Sequence, residues 1–216
     1  MRPPASRADM RLTYDDFVLF PDDGKRHEII DGEHYVTPSP NVRHQVLVRR
    51  LVYDLERYFR AHPQAGQVFA APLDVLLSPY DIVEPDLLVV TGDQTGILTE
   101  KNVQGPPALV IEVLSKSTRK RDAQTKRRLF ERTGVREYWL VDPELDAVQV
   151  FRPTPEGRLA RVAELTAEDG GVVTTPLLPG CQIDLRELFR AHLESARVTS
   201  SRPRTTSPRT RDRCRA

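Results

Sequence analysis

Apolar positions recur along the chain with two distinct periods. Val48, Leu51, Val52, Leu55 and Phe59 fall three and four residues apart, the spacing of one helical face, and predict a helix of about five turns. Ser39-Pro40 supplies a cap and an N1 proline before it, and His62-Pro63 ends it. Elsewhere the apolar runs are short and nearly unbroken: QVFAA (67–71), LDVLL (73–77), DLLVV (86–90), ALVIEVL (108–114) and EYWLVD (137–142). Their length and β-branched content predict strands covered on both faces. HEII and EHYVT flank Asp31-Gly32, a pair suited to the two positive φ angles of a type I′ hairpin.

The remaining pattern fills in the architecture. Thr13 can cap a short helix with Asp15 and Asp16 in its first turn. Residues 91–107, punctuated by glycine and proline, read as a connecting loop. A helix is expected from about Lys120 to Thr133, stopping at Gly134. AVQVFR, RLARVAEL and VVTTPLL suggest a closing meander, and IDLRELFRA a last short helix. Residues 107–142 thus read strand, helix, strand, and a right-handed crossover would set the two strands parallel. The expected class is α/β to α+β: a mixed β-sheet flanked by helices, with an N-terminal hairpin and a long helix. The division expected is a disordered segment at 1–11, one domain at 12–196 and a disordered basic tail at 197–216.

Charge sharpens that division. Residues 197–216 hold seven arginines against Asp212, a net of +6, while the whole chain is only +1. The body is therefore mildly acidic, so a generic basic surface is not what would draw it to nucleic acid. Two cysteines, Cys181 and Cys214, argue against a disulfide framework or a Cys-rich zinc site. No apolar run approaches a membrane span and MRPPASRADM has no apolar h-region; the expectation is a cytoplasmic protein without membrane contact.

Against this background Glu112 stands out, because it interrupts an otherwise apolar strand. Unpaired and ionised there, it would cost several kcal/mol (roughly), so it must be protonated, paired or holding a cation. Asp86 opens another apolar strand directly after Pro85. If the two strands are neighbours, their carboxylates converge at one sheet end. Two hard oxygen donors, with the carbonyl of Val113 as a third, suit Mg²⁺ or Mn²⁺. In the following helix Lys126 shares a face with Ala123, Leu129 and Phe130. An amine there could orient water and stabilise charge developing on a phosphate. Asp74 interrupts LDVLL and raises the same question as Glu112. The basic run Arg119, Lys120, Arg121 could grip a phosphate backbone, though a solvated helix face explains it equally well.

Taken together, HEIIDGEHYVTPSPNVRHQ, EPDLLVV, GPPALVIEVLSKSTRKRD and KRRLFERTGVREYWLVDP resemble the Uma family of putative restriction endonucleases, over roughly residues 13–190. The resemblance implies a PD-(D/E)xK nuclease-like fold and a metal-dependent site. Pro85-Asp86 matches the PD, and Glu112 the second acidic residue. Leu114 stands two positions later, where the motif has lysine, and the resemblance implies that Lys126 supplies the amine from the next helix. It permits Glu28 as an additional acidic residue and places His44-Gln45 at the family's HQ position, within reach of substrate.

Two functions follow as expectations. One is a Mg²⁺-dependent (or Mn²⁺-dependent) endonuclease acting on DNA, a homodimer being a reasonable arrangement for cutting two strands. The alternative is a catalytically inactive nuclease-fold module that binds nucleic acid or protein.

Overall fold

The computed structural model describes residues 11–191, and within them local chemistry sets the first elements. The Thr13 N–H and hydroxyl both donate to Asp16 Oδ2, at 2.8 and 2.9 Å, starting α1 (Tyr14–Phe17). Strands β1 (Arg26–Ile30) and β2 (Glu33–Thr37) turn at Asp31 and Gly32, whose φ of 55° and 79° are the positive pair a type I′ turn requires. Helix α2 (Val42–Ala61) is capped by Asn41, whose side chain accepts from the His44 N–H at 2.9 Å. The cap thus falls two residues beyond Ser39, and Pro40 precedes the helix rather than opening it. Its inward face is His44, Leu47, Leu51, Leu55 and Phe59, with Val48 and Val52 at the margin.

Four strands follow: β3 (Gly66–Ala70), β4 (Val75–Ser78), β5 (Asp81–Val83) and β6 (Leu87–Thr91). The segment expected as loop folds further, into a 3₁₀ turn at Gly92–Ile97 and β7 (Val103–Gln104). After β8 (Leu109–Val113) a π-helical stretch, Arg121–Lys126, runs into α3 (Arg127–Thr133), which stops at Gly134 with φ 87°. The chain closes with β9 (Glu137–Asp142), β10 (Ala147–Pro153), β11 (Leu159–Thr166), β12 (Val172–Thr174), β13 (Gln182–Asp184) and α4 (Leu185–Phe189). The segments expected as a disordered start and a basic tail lie outside the described residues, apart from Arg11. That residue is seated on the hairpin, its guanidinium over the Tyr80 ring and its Nε donating to the Asp31 carbonyl.

The class is α+β, with mixed sheets flanked by few helices. The strands form a six-stranded sheet ordered β11-β10-β9-β8-β6-β3, a five-stranded sheet ordered β2-β1-β5-β4-β7, and the pair β12-β13. Strand β12 leaves the expected meander because Ala167 and Gly171 bond back to Asp146 and Thr166, turning the chain off the sheet. β8 and β9 are parallel, as the crossover requires, while β6 and β8 are antiparallel neighbours pairing Leu87 with Ile111.

Alternation along the central strands builds two cores. Leu87 and Val89 of β6, Leu109, Ile111 and Val113 of β8, and Trp139 and Val141 of β9 face α2 and α4. Leu88, Val90, Val110, Tyr138 and Leu140 face the five-stranded sheet and α3. Each buried aliphatic side chain contributes about 1.5–3 kcal/mol, which explains why these strands contain so few polar residues.

Candidate active site

Because residues 109–114 alternate, Glu112 shares a face with Val110 and Leu114, the face that α3 covers. Asp86 immediately precedes β6, so the antiparallel pairing sets it beside Glu112, and its N–H approaches Glu112 Oε2 at 3.4 Å. Both residues are buried. From above come Asp122 and Lys126 of the π-helical turn, also buried. Four residues apart on a helical turn, both side chains fall on one face, toward the sheet. From β1 comes Glu28, 1 % exposed.

Lys126 links these groups. Its Nζ lies 2.7 Å from Glu112 Oε1, 2.7 Å from Glu28 Oε1 and 3.9 Å from Asp122 Oδ1. Asp86 is held separately: His44 Nε2 at 3.0 Å and the Val113 N–H at 2.8 Å meet Oδ2, and Arg26 at 2.7 Å meets Oδ1. Arg26 also donates to the Glu84 carbonyl. Arg121 turns inward, 2.5 Å from the Thr37 hydroxyl and 3.5 Å from Glu28 Oε2. The cluster opens to solvent through a cavity of about 360 Å³ walled by the Ser115–Arg119 segment and by residues 37–44.

The chain's relatives bear on what this cluster is. A family model described as Uma2, putative restriction endonuclease, matches residues 14–186. The chain belongs to the Uma2 family. It is also similar in structure to a putative nuclease belonging to DUF820 from Anabaena variabilis ATCC 29413, with a TM-score of 0.69 at 19 % identity, covering 82 % of this chain and 97 % of that one. At that identity the likeness concerns the fold. No curated protein matches.

For this Uma2 chain the electrostatics of the cluster are those of an anion excess. Burial drives the Glu112 carboxyl up, to about 8, and Asp86, Asp122 and Glu28 add to the rise while Lys126 opposes it. Asp122 is likewise raised, chiefly by burial. Asp86 goes the other way: burial pushes it up, but the His44 hydrogen bond, Arg26 and the Val113 N–H hold it well below the usual carboxylate range. The Lys126 amine is pulled up by Glu112, Glu28 and Asp122 against its own burial. Glu84, behind Arg26, is raised to about 7 by burial and by Asp74 and Glu28.

A hard divalent cation fits this donor set chemically. Three carboxylates, Glu112, Glu28 and Asp122, surround one lysine with Asp86 beside them, and Glu28 Oε2 and Asp122 Oδ1 are buried without a hydrogen-bond partner. As arranged, the oxygens are closed onto protein cations, and among the described residues no three His, Cys, Asp or Glu side chains are grouped to hold a metal.

The other sequence candidates are placed as follows. Gln45 is exposed beside His44. Asp74 precedes β4 and acts on Glu84 rather than on Glu112. Of the basic run, Arg119 is engaged by Asp142 and Glu144, Arg121 is turned into the cluster, and Lys120 is exposed. Sequence reasoning passed over Asp122 and Arg26. Asp122 had a usable signal, its position four residues before Lys126 in a segment expected to be helical. Arg26 had none, since it reaches Asp86 only through the pairing of β1 with β5.

Proposed function

We propose that this chain is a divalent-metal-dependent endonuclease that hydrolyses phosphodiester bonds in DNA. The observation that carries the reading is the lysine-bridged group of buried carboxylates at the joined ends of β6 and β8, in a chain of the Uma2 family. Asp86, Glu112 and the Val113 carbonyl are the donors suited to Mg²⁺ or Mn²⁺, which would supply Lewis-acid charge at the phosphate and activate water there. The protein's own groups do the rest. Arg26, the most accessible cation touching Asp86, draws the phosphate in. His44 fixes Asp86 through Oδ2, leaving Oδ1 to exchange between Arg26 and another cation. Lys126 donates to the attacking water and to the negative charge that grows on the phosphoryl oxygens. Glu28 and Asp122 keep Lys126 charged and aimed.

One observation favours a second reading, a binding module without activity: Leu114 occupies the motif's lysine position, and the carboxylates already bond to Arg26, His44 and Lys126. Thermal denaturation with Mg²⁺ or Mn²⁺ separates the two. The nuclease reading expects a metal-dependent rise in Tm that Glu112→Ala abolishes. Indifference of the folded wild type to either metal contradicts it.

A further inference from the structure

Two cavities of about 360 Å³ each flank Asp86. They share one wall, formed by Arg26, the Thr37–Pro40 segment, His44 and Asp86 itself. The first runs out past Glu112 and Lys126 to Ser115, Ser117 and the exposed amine of Lys116. The second runs the other way, past Gln45, Val48 and Pro72 to Lys25. Cations therefore mark a path with Lys116 at one lip, Arg26 at the centre and Lys25 at the other lip. The two lip lysines are held only by exposed pairs, with Glu144 and Asp23, which release readily to a phosphate.

Burial restricts what can reach the centre. Asp86, Glu112 and Lys126 are only 4, 3 and 2 % exposed, so a phosphate on the outside of a stiff duplex stops short of them. Each cavity lies at the lower end of the roughly 300–1,000 Å³ typical of small-molecule sites, a volume that suits one nucleoside. The linings offer Pro38, Pro40, Val48 and Pro72 as apolar faces beside the cations of the path, and a positively charged groove that tracks the backbone is the electrostatic half of strand binding.

We propose that the substrate is an unpaired polynucleotide strand lying across Asp86, its phosphate at Arg26 and one nucleoside in each cavity. This deepens the endonuclease reading and rests on it for the chemistry alone, since strand binding is measurable without cleavage.

The test is fluorescence anisotropy of the full chain in metal-free buffer with labelled single-stranded DNA, single-stranded RNA, the perfect DNA duplex and the same duplex with an unpaired bubble, followed by cleavage of each with Mn²⁺. The expected result is at least about tenfold tighter binding of the unpaired strands and the bubble than of the duplex. With deoxyuridine in place of thymidine the two single strands differ only in the 2′-hydroxyl, and tighter binding of either one supports the strand site and names its sugar. Ser117→Glu, at an exposed position in the first cavity, and Gln45→Glu, at an exposed position in the second, put a negative charge against the phosphates and should each weaken strand binding about tenfold with an unchanged melting transition. Equal or tighter binding of the perfect duplex overturns the proposal, as does unimpaired strand binding by both folded glutamate variants. Cleavage of duplex alone overturns it while leaving the endonuclease reading intact. Strand binding without cleavage upholds the strand site and removes the endonuclease reading instead.

Discussion

Glu112 keeps its place in an apolar strand because Lys126 meets one oxygen and the Asp86 N–H the other. Removing the amine leaves Glu112, Glu28 and Asp122 facing one another in a buried space. Lys126→Met is therefore expected to cost about 3–5 kcal/mol, the penalty of orphaned buried charge, measured by urea denaturation. The raised Glu112 carboxyl also fixes a pH dependence. Its folded pKa, about 8, lies above its ordinary 4.5, so between those values the folded state holds a proton that the unfolded chain has lost. Stability then falls as pH rises through that window. On the proposed metal-dependent reading a divalent cation would compete for the same oxygens, so the rise in Tm given by Mg²⁺ should be larger at the top of the window than at its foot. A metal response that is flat across the window, or greatest in acid, would contradict this account of Glu112.

At the scale of elements, the π-helical turn Arg121–Lys126 carries the site. A regular α-helix through the same residues would rotate Asp122 relative to Lys126, and a π turn is commonly an α-helix with one residue inserted. Deleting exposed Gln124 should restore the α-helical repeat, keep Leu129 and Phe130 in the core, and misplace Asp122. The expected outcome is a folded protein by circular dichroism with metal-dependent cleavage much reduced, because Lys126 loses one of the carboxylates that aim it. The same turn shows why the site was only partly legible in the sequence. Glu112, Asp86 and Lys126 announce themselves because each interrupts or joins an apolar pattern. Asp122 sits in STRKRD, where a run of charge reads by default as a solvated helix face. Asn41 displaced Ser39 as the cap of α2 for a local reason, a side-chain bond to the His44 N–H that the two residues' spacing allows.

For the whole molecule, the α+β class, the hairpin, the long helix and the parallel β8–β9 pair follow from period, turn chemistry and crossover handedness, all local or nearly so. The division into a six-stranded and a five-stranded sheet does not. It depends on β1 pairing with β5 across some fifty residues, and on β4 meeting β7 in what reads as loop. That long-range pairing places Glu28 and Arg26 against the sheet that carries Asp86 and Glu112. The carboxylate cluster is thus a property of two sheets and the π turn meeting at one place. The most direct test of its role is cleavage of supercoiled plasmid and single-stranded oligonucleotides by purified protein with Mg²⁺ or Mn²⁺, beside Glu112→Ala and Lys126→Ala. The expected result is metal-dependent cutting by the wild type, reduced about 10²-fold or more in each variant. No cutting of any substrate by the folded wild type, or cutting that both variants retain, would contradict the assignment of this cluster as a nuclease site.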